Sequence, residues 1–180
     1  MSESTPFLSD VTELRRRARE HMEKGPITES YKGDAKRAIE ILNAALATEI
    51  VCVLRYKRHF YMAKGLSKDS VANEFLAHAN EEQGHADRIA ERITQLGGAP
   101  DFSPQGLATR SHSEYVEGSS LVEMIKEDLV AERIAIESYT EIIRYFGTND
   151  PTSRRLMEEI LAVEEEHAND MADLLEAEGA

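Results

Sequence analysis

The sequence predicts an all-α protein built as an antiparallel four-helix bundle. Four long segments place apolar residues at alternating steps of three and four, as helices with one buried face do. Glycine and proline are few, 10 and 5 among 180 residues, and they cluster between these segments. The motif Glu-x-x-His also occurs twice, which indicates that the two halves of the bundle carry related chemistry.

Capping residues set the limits of the four helices. The predicted ranges are about Asp34 to Lys64 before Gly65, Lys68 to Leu96, Ser119 to Phe146, and Asp150 onward. Ser119 or Ser120 caps the third helix, with Glu123 three or four residues on to complete a capping box. Asp150 caps the fourth helix, and Pro151 suits its first position because that residue needs no amide hydrogen bond.

The link between the second and third helices is long, whereas the other two links are short. Its stretch of about 21 residues, 98–118, spans roughly 65 Å at full extension. A helix of about 28 residues is roughly 42 Å long. The link can therefore run the length of the bundle and leave the second and third helices parallel, as one long crossover between two hairpins. A single helical turn is predicted around Ser113 to Val116.

Residues 1–34 are interpreted as an N-terminal extension, and residues 35–180 as the bundle. A short helix is predicted in the extension from Ser9 to Lys24, with Ser9 as its cap. Its expected apolar face contains Val11, Leu14 and Met22.

Composition excludes several classes of protein. The net charge of −13 argues against nucleic-acid binding, because phosphate contacts need a basic surface. The single cysteine, Cys52, excludes an internal disulfide framework. The sequence contains no apolar run of membrane-spanning length and no signal-peptide pattern at its start. We therefore expect a cytoplasmic protein without a membrane partner.

Six potential metal ligands fall on inward-facing positions near the middle of the four helices. They are Glu49, Glu82, His85, Glu132, Glu164 and His167. Burying an unpaired carboxylate costs several kcal/mol, so four buried acids at one level need cations among them. Two divalent ions would offset four negative charges, and oxygen ligands with two imidazoles suit iron or manganese. The sequence therefore predicts a di-metal carboxylate site.

Four further residues lie close to the predicted site. Tyr56 is expected to donate a hydrogen bond to a ligand or to be oxidised in turnover, with a core tyrosine as the alternative. Asp128 is expected to accept the second N–H of His167 and so orient the ring. His78 is interpreted as a hydrogen-bonded core histidine, with an outer ligand as the alternative. Cys52 is interpreted as a buried, inert thiol.

On these residues the chain resembles the ferritin-like superfamily, and within it bacterioferritin, over about residues 35–178. The motifs that carry the resemblance are Glu82-Gln-Gly-His85 and Glu164-Glu-Glu-His167, with Glu49 and Glu132 preceding them. The resemblance implies one iron at Glu49 and His85, another at Glu132 and His167, and bridging by Glu82 and Glu164. Tyr56 and Asp128 also match family positions beside the site.

Three departures point towards the Dps-like mini-ferritins. The residue after Glu82 is Gln83, where bacterioferritin has the haem-ligating Met, so haem is not expected. Only about 13 residues follow His167, too few for the fifth helix of 24-subunit cages, and the extension before Asp34 is long. The resemblance implies a ferroxidase that oxidises Fe(II) with H2O2 or O2 and stores iron in a homo-oligomeric cage, expected to be a dodecamer.

Two other functions remain open from the sequence. One is a di-iron or di-manganese peroxidase or catalase, similar to rubrerythrin, that stores no mineral. The other is a non-enzymatic stress protein that protects DNA. The six intact ligands argue against the second of these, and so does the acidic net charge.

Overall fold

A computed structural model of the protein describes residues 10–63 and 68–179. Over these ranges the chain is helical and contains no strand, which confirms the all-α prediction. The helices are α1 (Val11–Arg17), α2 (Ala35–Met62), α3 (Lys68–Gln95), α4 (Leu107–Arg110), α5 (Leu121–Phe146) and α6 (Pro151–Ala177), with a 3-10 turn at Met22–Lys24.

The four long helices form two hairpins, α2 with α3 and α5 with α6. Hydrogen bonds from Tyr56 to Glu132 and from Tyr139 to Glu49 show that α2 and α5 run antiparallel. Since α2 and α3 are also antiparallel, α3 and α5 are parallel, and the segment between them crosses the bundle from end to end. This is the predicted four-helix bundle with one long crossover.

Side chains cap the long helices where the sequence predicted them. Ser120 Oγ accepts from the amide of Glu123 at 3.2 Å, and Glu123 Oε2 accepts from the amide of Ser119 at 2.9 Å. Asp150 caps α6 by accepting from Ser153, and Pro151 occupies the first position. Both predicted N-termini are confirmed, whereas the predicted end of the first helix at Lys64 and Gly65 lies outside the described residues.

Two apolar clusters fill the bundle and leave a polar layer between them. One cluster includes Leu42 and Ile89, and the other includes Phe75 and Ile125. On each long helix the predicted metal ligands lie between the segments that supply these two clusters. The site is therefore sealed from above and below by apolar packing, which lowers the local dielectric.

The crossover is fixed along α2 by side chains of that helix. The contacts join the Asp101 amide to Asn43 (2.8 Å), the His112 amide to Thr48 (2.9 Å) and Arg55 to Ser113 (3.0 Å). The helical turn predicted around Ser113 to Val116 is wrong, and the crossover's one short helix is α4 instead. Arg55 binds Ser113 Oγ and the Glu114 carbonyl, which holds this segment in a non-helical course against α2.

The extension contains a shorter helix than predicted. Asp10 caps α1, while the predicted cap Ser9 lies outside the described residues. The helix ends at Arg17, and His21 adopts a left-handed backbone with φ of 51°, which breaks the helical path before Met22. Val11 is 57 % exposed, so the expected apolar face is not buried within this chain. The division of the chain at residue 34 stays a prediction.

None of the described helices combines the length and the apolar character that a membrane span requires.

Candidate metal centre

The structure brings all six predicted ligands together in the polar layer, and each is at most 5 % exposed. Their donor atoms form two overlapping groups, within which all atoms lie within 4.8 Å of one another. The groups are Glu49, Glu82, His85 and Glu164, and Glu82, Glu132, Glu164 and His167. Because Glu82 and Glu164 belong to both groups, the arrangement has two ends and a shared middle.

The donor atoms that face this space lack hydrogen-bond partners. Seven such atoms are buried without a hydrogen bond: Glu49 Oε2, Glu82 Oε1, His85 Nδ1, Glu132 Oε2, Glu164 Oε1 and Oε2, and His167 Nδ1. The nearest neighbours of the two imidazole nitrogens are carboxylates of the same set, with His85 Nδ1 3.0 Å from Glu164 Oε1 and His167 Nδ1 3.4 Å from Glu82 Oε1. Buried polar atoms are ordinarily satisfied, because leaving one unpaired costs about 1 to 3 kcal/mol. Seven atoms without hydrogen bonds that converge on one space fit two metal ions with oxygen and nitrogen ligands.

His167 is oriented by a residue that the sequence analysis missed. Its Nε2 lies 2.6 Å from Glu81 Oε2, so Nε2–H donates to that carboxylate and Nδ1 faces the centre. Such a carboxylate behind a histidine ligand fixes the ring and raises its basicity. Glu81 directly precedes Glu82 and points to the outer side of the same helix, which is the one signal that the sequence offered.

The predicted contact between Asp128 and His167 is wrong. Asp128 instead accepts from Arg55 Nε and from His59 Nδ1, both at 2.8 Å, and all three side chains are buried. Asp128 lies one turn before Glu132 but faces α2 rather than α6. The sequence therefore predicted the position of Asp128 along the helix correctly, but not the side of the helix on which its carboxylate lies.

Two buried tyrosines hold the end carboxylates from the opposite hairpin. Tyr56 donates to Glu132 Oε1 at 2.5 Å, as predicted, and Tyr139 donates to Glu49 Oε1. The sequence analysis missed the role of Tyr139. The signal was present, since Tyr56 follows Glu49 by seven residues and Tyr139 follows Glu132 by the same seven. The internal repeat therefore includes the tyrosines as well as the ligands.

Comparison with known proteins agrees with this geometry. A family model described as a ferritin-like domain matches residues 39–178. The bacterioferritin of Rhodobacter capsulatus is 33 % identical over 139 residues, which cover 77 % of this chain and 81 % of that protein. The chain belongs to the ferritin-like family.

Solved structures of the ferritin-like family superimpose on the bundle. A dodecameric thioferritin, the bacterioferritin-related protein of Bacteroides fragilis, matches with a TM-score of 0.79 and 33 % identity, over 82 % of this chain and 89 % of that one. The R. capsulatus bacterioferritin, described with a metal-free dinuclear site and a haem iron, matches with a TM-score of 0.68 and 30 % identity, over 81 % and 87 % of the two chains. Among curated relatives, a nutrient stress-induced DNA-binding protein of Nostoc is 32 % identical over 76 % of each chain.

The electrostatics of this ferritin-like centre favour positive charge. Burial lowers the pKa of both imidazoles, but the adjoining carboxylates outweigh it and raise the pKa of His85 to about 12 and of His167 to about 11. Burial, together with the charges of Glu82 and Glu164, raises the pKa of Glu49 and Glu132 well above its usual range. Glu49 and Glu132 thus favour a bound proton, and a divalent cation would neutralise the same buried charges.

The remaining predicted neighbours are both buried. His78 stacks on His167 with ring centroids 3.8 Å apart, and its Nδ1 lies 3.2 Å from the Tyr56 hydroxyl. Cys52 is a buried free cysteine, and burial raises the pKa of its thiol well above the usual value. Its sulfur accepts from Arg55 at 3.5 Å rather than facing the donor atoms of the centre.

Proposed function

We propose that this protein is a ferroxidase and iron store. It oxidises Fe(II) with H2O2 or O2 at a di-metal centre inside each bundle and holds the ferric product within a closed shell of chains. The observation that carries the proposal is the set of seven buried atoms without hydrogen bonds on six facing side chains. Four carboxylates and two imidazoles in a bundle core form the ligand set of di-iron carboxylate proteins, and the dinuclear site named for R. capsulatus bacterioferritin supports the same metal count.

The proposed ligands divide by their position in the two groups. Glu49 with His85 would hold one ion, Glu132 with His167 would hold the other, and Glu82 with Glu164, which belong to both groups, would bridge them. Two divalent ions offset the four carboxylates, which removes the repulsion among them. Hard oxygen ligands with imidazole favour iron, and manganese is the alternative metal. When bound, the ions supply the redox chemistry that oxidises Fe(II).

The surrounding side chains set the geometry of this centre. Tyr56 and Tyr139 each donate to one end carboxylate and leave its second oxygen, Glu132 Oε2 or Glu49 Oε2, free to face a metal. Glu81 holds the proton of His167 Nε2, so that Nδ1 is the ligating nitrogen. Tyr56 is also our candidate for oxidation in turnover, because its hydroxyl touches a ligand directly.

We further propose a shell of twelve chains and no bound haem. The dodecameric assembly named for the B. fragilis relative supports the first point. Gln83 supports the second, because an amide is a poor haem ligand where the resemblance places a thioether. DNA binding, named for the Nostoc relative, is not proposed here, because a net charge of −13 repels phosphate. A Soret band at one haem per two chains would contradict the second point.

The proposal is tested by metal content and Fe(II) oxidation. We expect the parent to bind about two metal ions per chain and to oxidise Fe(II) rapidly. The double variant Glu82→Ala with His167→Ala should lose both properties. Glu91→Ala, which changes an exposed acid on α3, should keep them. Equal oxidation rates in the parent and the double variant would refute the assigned centre.

Light scattering and iron loading separate storage from peroxidase chemistry. We expect a twelve-chain particle that retains a soluble iron core. A 24-chain particle would refute the shell size. A stable dimer that oxidised Fe(II) but retained no core would move the function to a peroxidase or catalase without storage.

A further inference from the structure

A buried histidine near the end of α2 has no part in the proposed metal centre. His59 is 0 % exposed. Its Nδ1 lies 2.8 Å from Asp128 Oδ2 on α5, and its Nε2 lies 3.1 Å from the carbonyl oxygen of Glu117 in the crossover. The ring therefore joins three parts of the chain: α2, α5 and the last residues before α5.

Both hydrogen-bond partners of His59 are acceptors that carry no proton. The carboxylate of Asp128 also accepts from Arg55 Nε at 2.8 Å, and a guanidinium paired in this way keeps the carboxylate ionised. The partner on the other side is a backbone carbonyl oxygen, which can only accept. A neutral imidazole has one N–H and would leave a lone pair facing one of these oxygens. The contacts therefore require the positively charged ring, with a proton on each nitrogen.

The charged groups around His59 come from three elements. On α2, Arg55 shares the carboxylate of Asp128, and Arg58 binds the Glu117 carboxylate at 2.6 Å. On α5 the charged group is Asp128, and in the crossover it is Glu117. From α3 the ring meets only the uncharged ring of Phe75, with the centroids 5.6 Å apart. Asp128 thus serves two buried cations, and of these two only His59 can release a proton.

The two hydrogen bonds of His59 differ in strength. Nδ1–H donates to a carboxylate, and such a charge-assisted bond is shorter and stronger than the one from Nε2–H to the Glu117 carbonyl. A neutral ring therefore keeps the proton on Nδ1 and loses the one on Nε2. The Nε2 lone pair then repels the carbonyl oxygen. The remaining tie of Glu117 is its ion pair with Arg58, and a partly exposed pair of this kind stabilises little.

We propose that His59 is a pH-sensitive latch that holds the end of the crossover on α2. The charged ring keeps the segment 115–118 closed, and the segment opens as rising pH removes the Nε2 proton. Arg55 bounds the movable segment at Glu114, and the capping box of α5 bounds it at Ser119. The latch lies outside the six proposed ligands, so the proposal does not depend on metal binding or on ferroxidase activity.

The first measurement reads the protons of the ring directly. The full-length, metal-free assembly is labelled with 15N histidine and studied by solid-state NMR from about pH 6 to about pH 9. The His59→Gln variant identifies the resonances by their loss. We expect both nitrogens of His59 to be protonated at the acid end, and Nε2 alone to lose its proton as the pH rises. A ring with one proton at the acid end, or with two protons throughout, would overturn the proposal.

The second measurement follows the opening of the segment. A glutamate-specific protease cleaves the same assembly, and cleavage after Glu117 is divided by cleavage after Glu29, an exposed acid in the extension. This ratio removes the pH dependence of the protease itself. We expect it to rise several-fold in the parent over the pH interval in which Nε2 loses its proton. The control His112→Gln, an exposed histidine of the same crossover, should behave like the parent.

The His59→Gln variant should give a ratio that changes little with pH. The same rise in His59→Gln as in the parent would assign the opening to another group and overturn the latch. If that variant does not fold, the two measurements on the parent still decide. A ratio that stays constant, or that rises outside the interval in which the ring titrates, would contradict the proposal.

Discussion

The two hairpins of the bundle carry the same proposed ligands at the same spacing, but different side chains surround them. In α2 and α5 a buried glutamate is followed seven residues later by a buried tyrosine, and each tyrosine donates to the glutamate of the other hairpin. In α3 and α6 a glutamate is followed three residues later by the ligand histidine. The repeat therefore accounts for the two ends of the centre, whereas the surroundings have diverged.

The outer sides of α3 and α6 show the first divergence. Matching positions on α6 are apolar: Leu156 for Glu74, Ile160 for His78 and Val163 for Glu81. Polar side chains thus approach the end of the centre that contains His167, where Glu81 orients the ring. Near His85, the residue that matches Asp170 of α6 is Arg88, which lines a groove between α3 and α6 together with His85, so that side is not wholly apolar. The two related histidines therefore have different neighbours, although the proposed ligand set is duplicated.

The contact between α2 and α5 shows the second divergence. Asp128 binds Arg55 and His59 in the core, and Arg55 also holds the crossover at Ser113. The position that matches Asp128 in the other hairpin is Ala45, which packs in the apolar cluster. The buried charges therefore hold the crossover, which runs along only one side of the bundle.

The largest effect is expected from Asp128→Asn. The variant leaves the buried Arg55 without an anion, which should lower the free energy of unfolding by about 3 to 5 kcal/mol. Chemical denaturation measures this change, with the exposed Glu137→Gln as the control. The number of metal ions per chain should be unchanged, because Asp128 does not touch the centre. A variant as stable as the parent would show that the buried charges are dispensable.

Glu81→Gln should weaken one end of the centre and leave the other intact. Loss of the carboxylate behind His167 is expected to reduce the affinity for one of the two ions about 10- to 100-fold. Titration of the metal-free protein with Co(II) resolves the two affinities. Glu165→Gln, an exposed acid on α6 outside both ligand groups, is the control. Equal losses at both ions would contradict the asymmetry.

Asp150→Asn should reduce stability at neutral pH but not in acid. Burial raises the pKa of Asp150, but hydrogen bonds from Ser153 and the charge of Arg92 outweigh it, so the pKa lies below its usual value. A carboxyl group whose pKa is lowered by folding stabilises the native state at pH values above its usual pKa, about 3.9. This stabilisation is lost as the pH falls through the pKa of the folded state. We expect a deficit of about 2 kcal/mol at pH 7, since Asn still caps a helix.

Unfolding of Asp150→Asn and the parent should therefore be followed from neutral to acid pH. The difference between them should shrink as the pH falls below the usual aspartate pKa. Asp34→Asn, at the exposed cap of α2, should show little difference at any pH. A constant deficit for Asp150→Asn would mean that shape, rather than charge, explains its effect.

The smallest effects should come from Tyr56→Phe and Tyr139→Phe. Each variant removes one hydrogen bond to an end carboxylate, worth about 1 kcal/mol or a factor of about five in metal affinity. Because the two contacts are equivalent by the repeat, Co(II) titration should give similar losses. If Tyr139→Phe kept the metal affinity of the parent, the two tyrosines would not be equivalent.

The fold was predictable from the sequence because local signals agreed with the packing. The caps at Ser120 and Asp150, and the inward positions of the glutamates, follow from helical periodicity alone. Periodicity gives the level of a residue along a helix but only its approximate direction. That is why Asp128 was placed beside His167, when it faces α2.

Contacts between distant segments could not be predicted in this way. The pairing of Arg55 with Asp128 and Ser113 joins α2, α5 and the crossover, and no local pattern specifies it. The orientation of His167 by Glu81 depends on how α3 and α6 pack. The contact of Tyr139, by contrast, could have been predicted from the repeated spacing of seven residues between glutamate and tyrosine.

The most direct test of the central claim is the number of Fe(II) ions that one chain oxidises in the first rapid phase. Iron is added anaerobically in increasing ratio to the assembled, metal-free protein, and the oxidant is then supplied. We predict a phase that saturates at two ions per chain, and no such phase in Glu82→Ala with His167→Ala. Saturation at one ion, or the same phase in the double variant, would contradict a shared centre built from both hairpins.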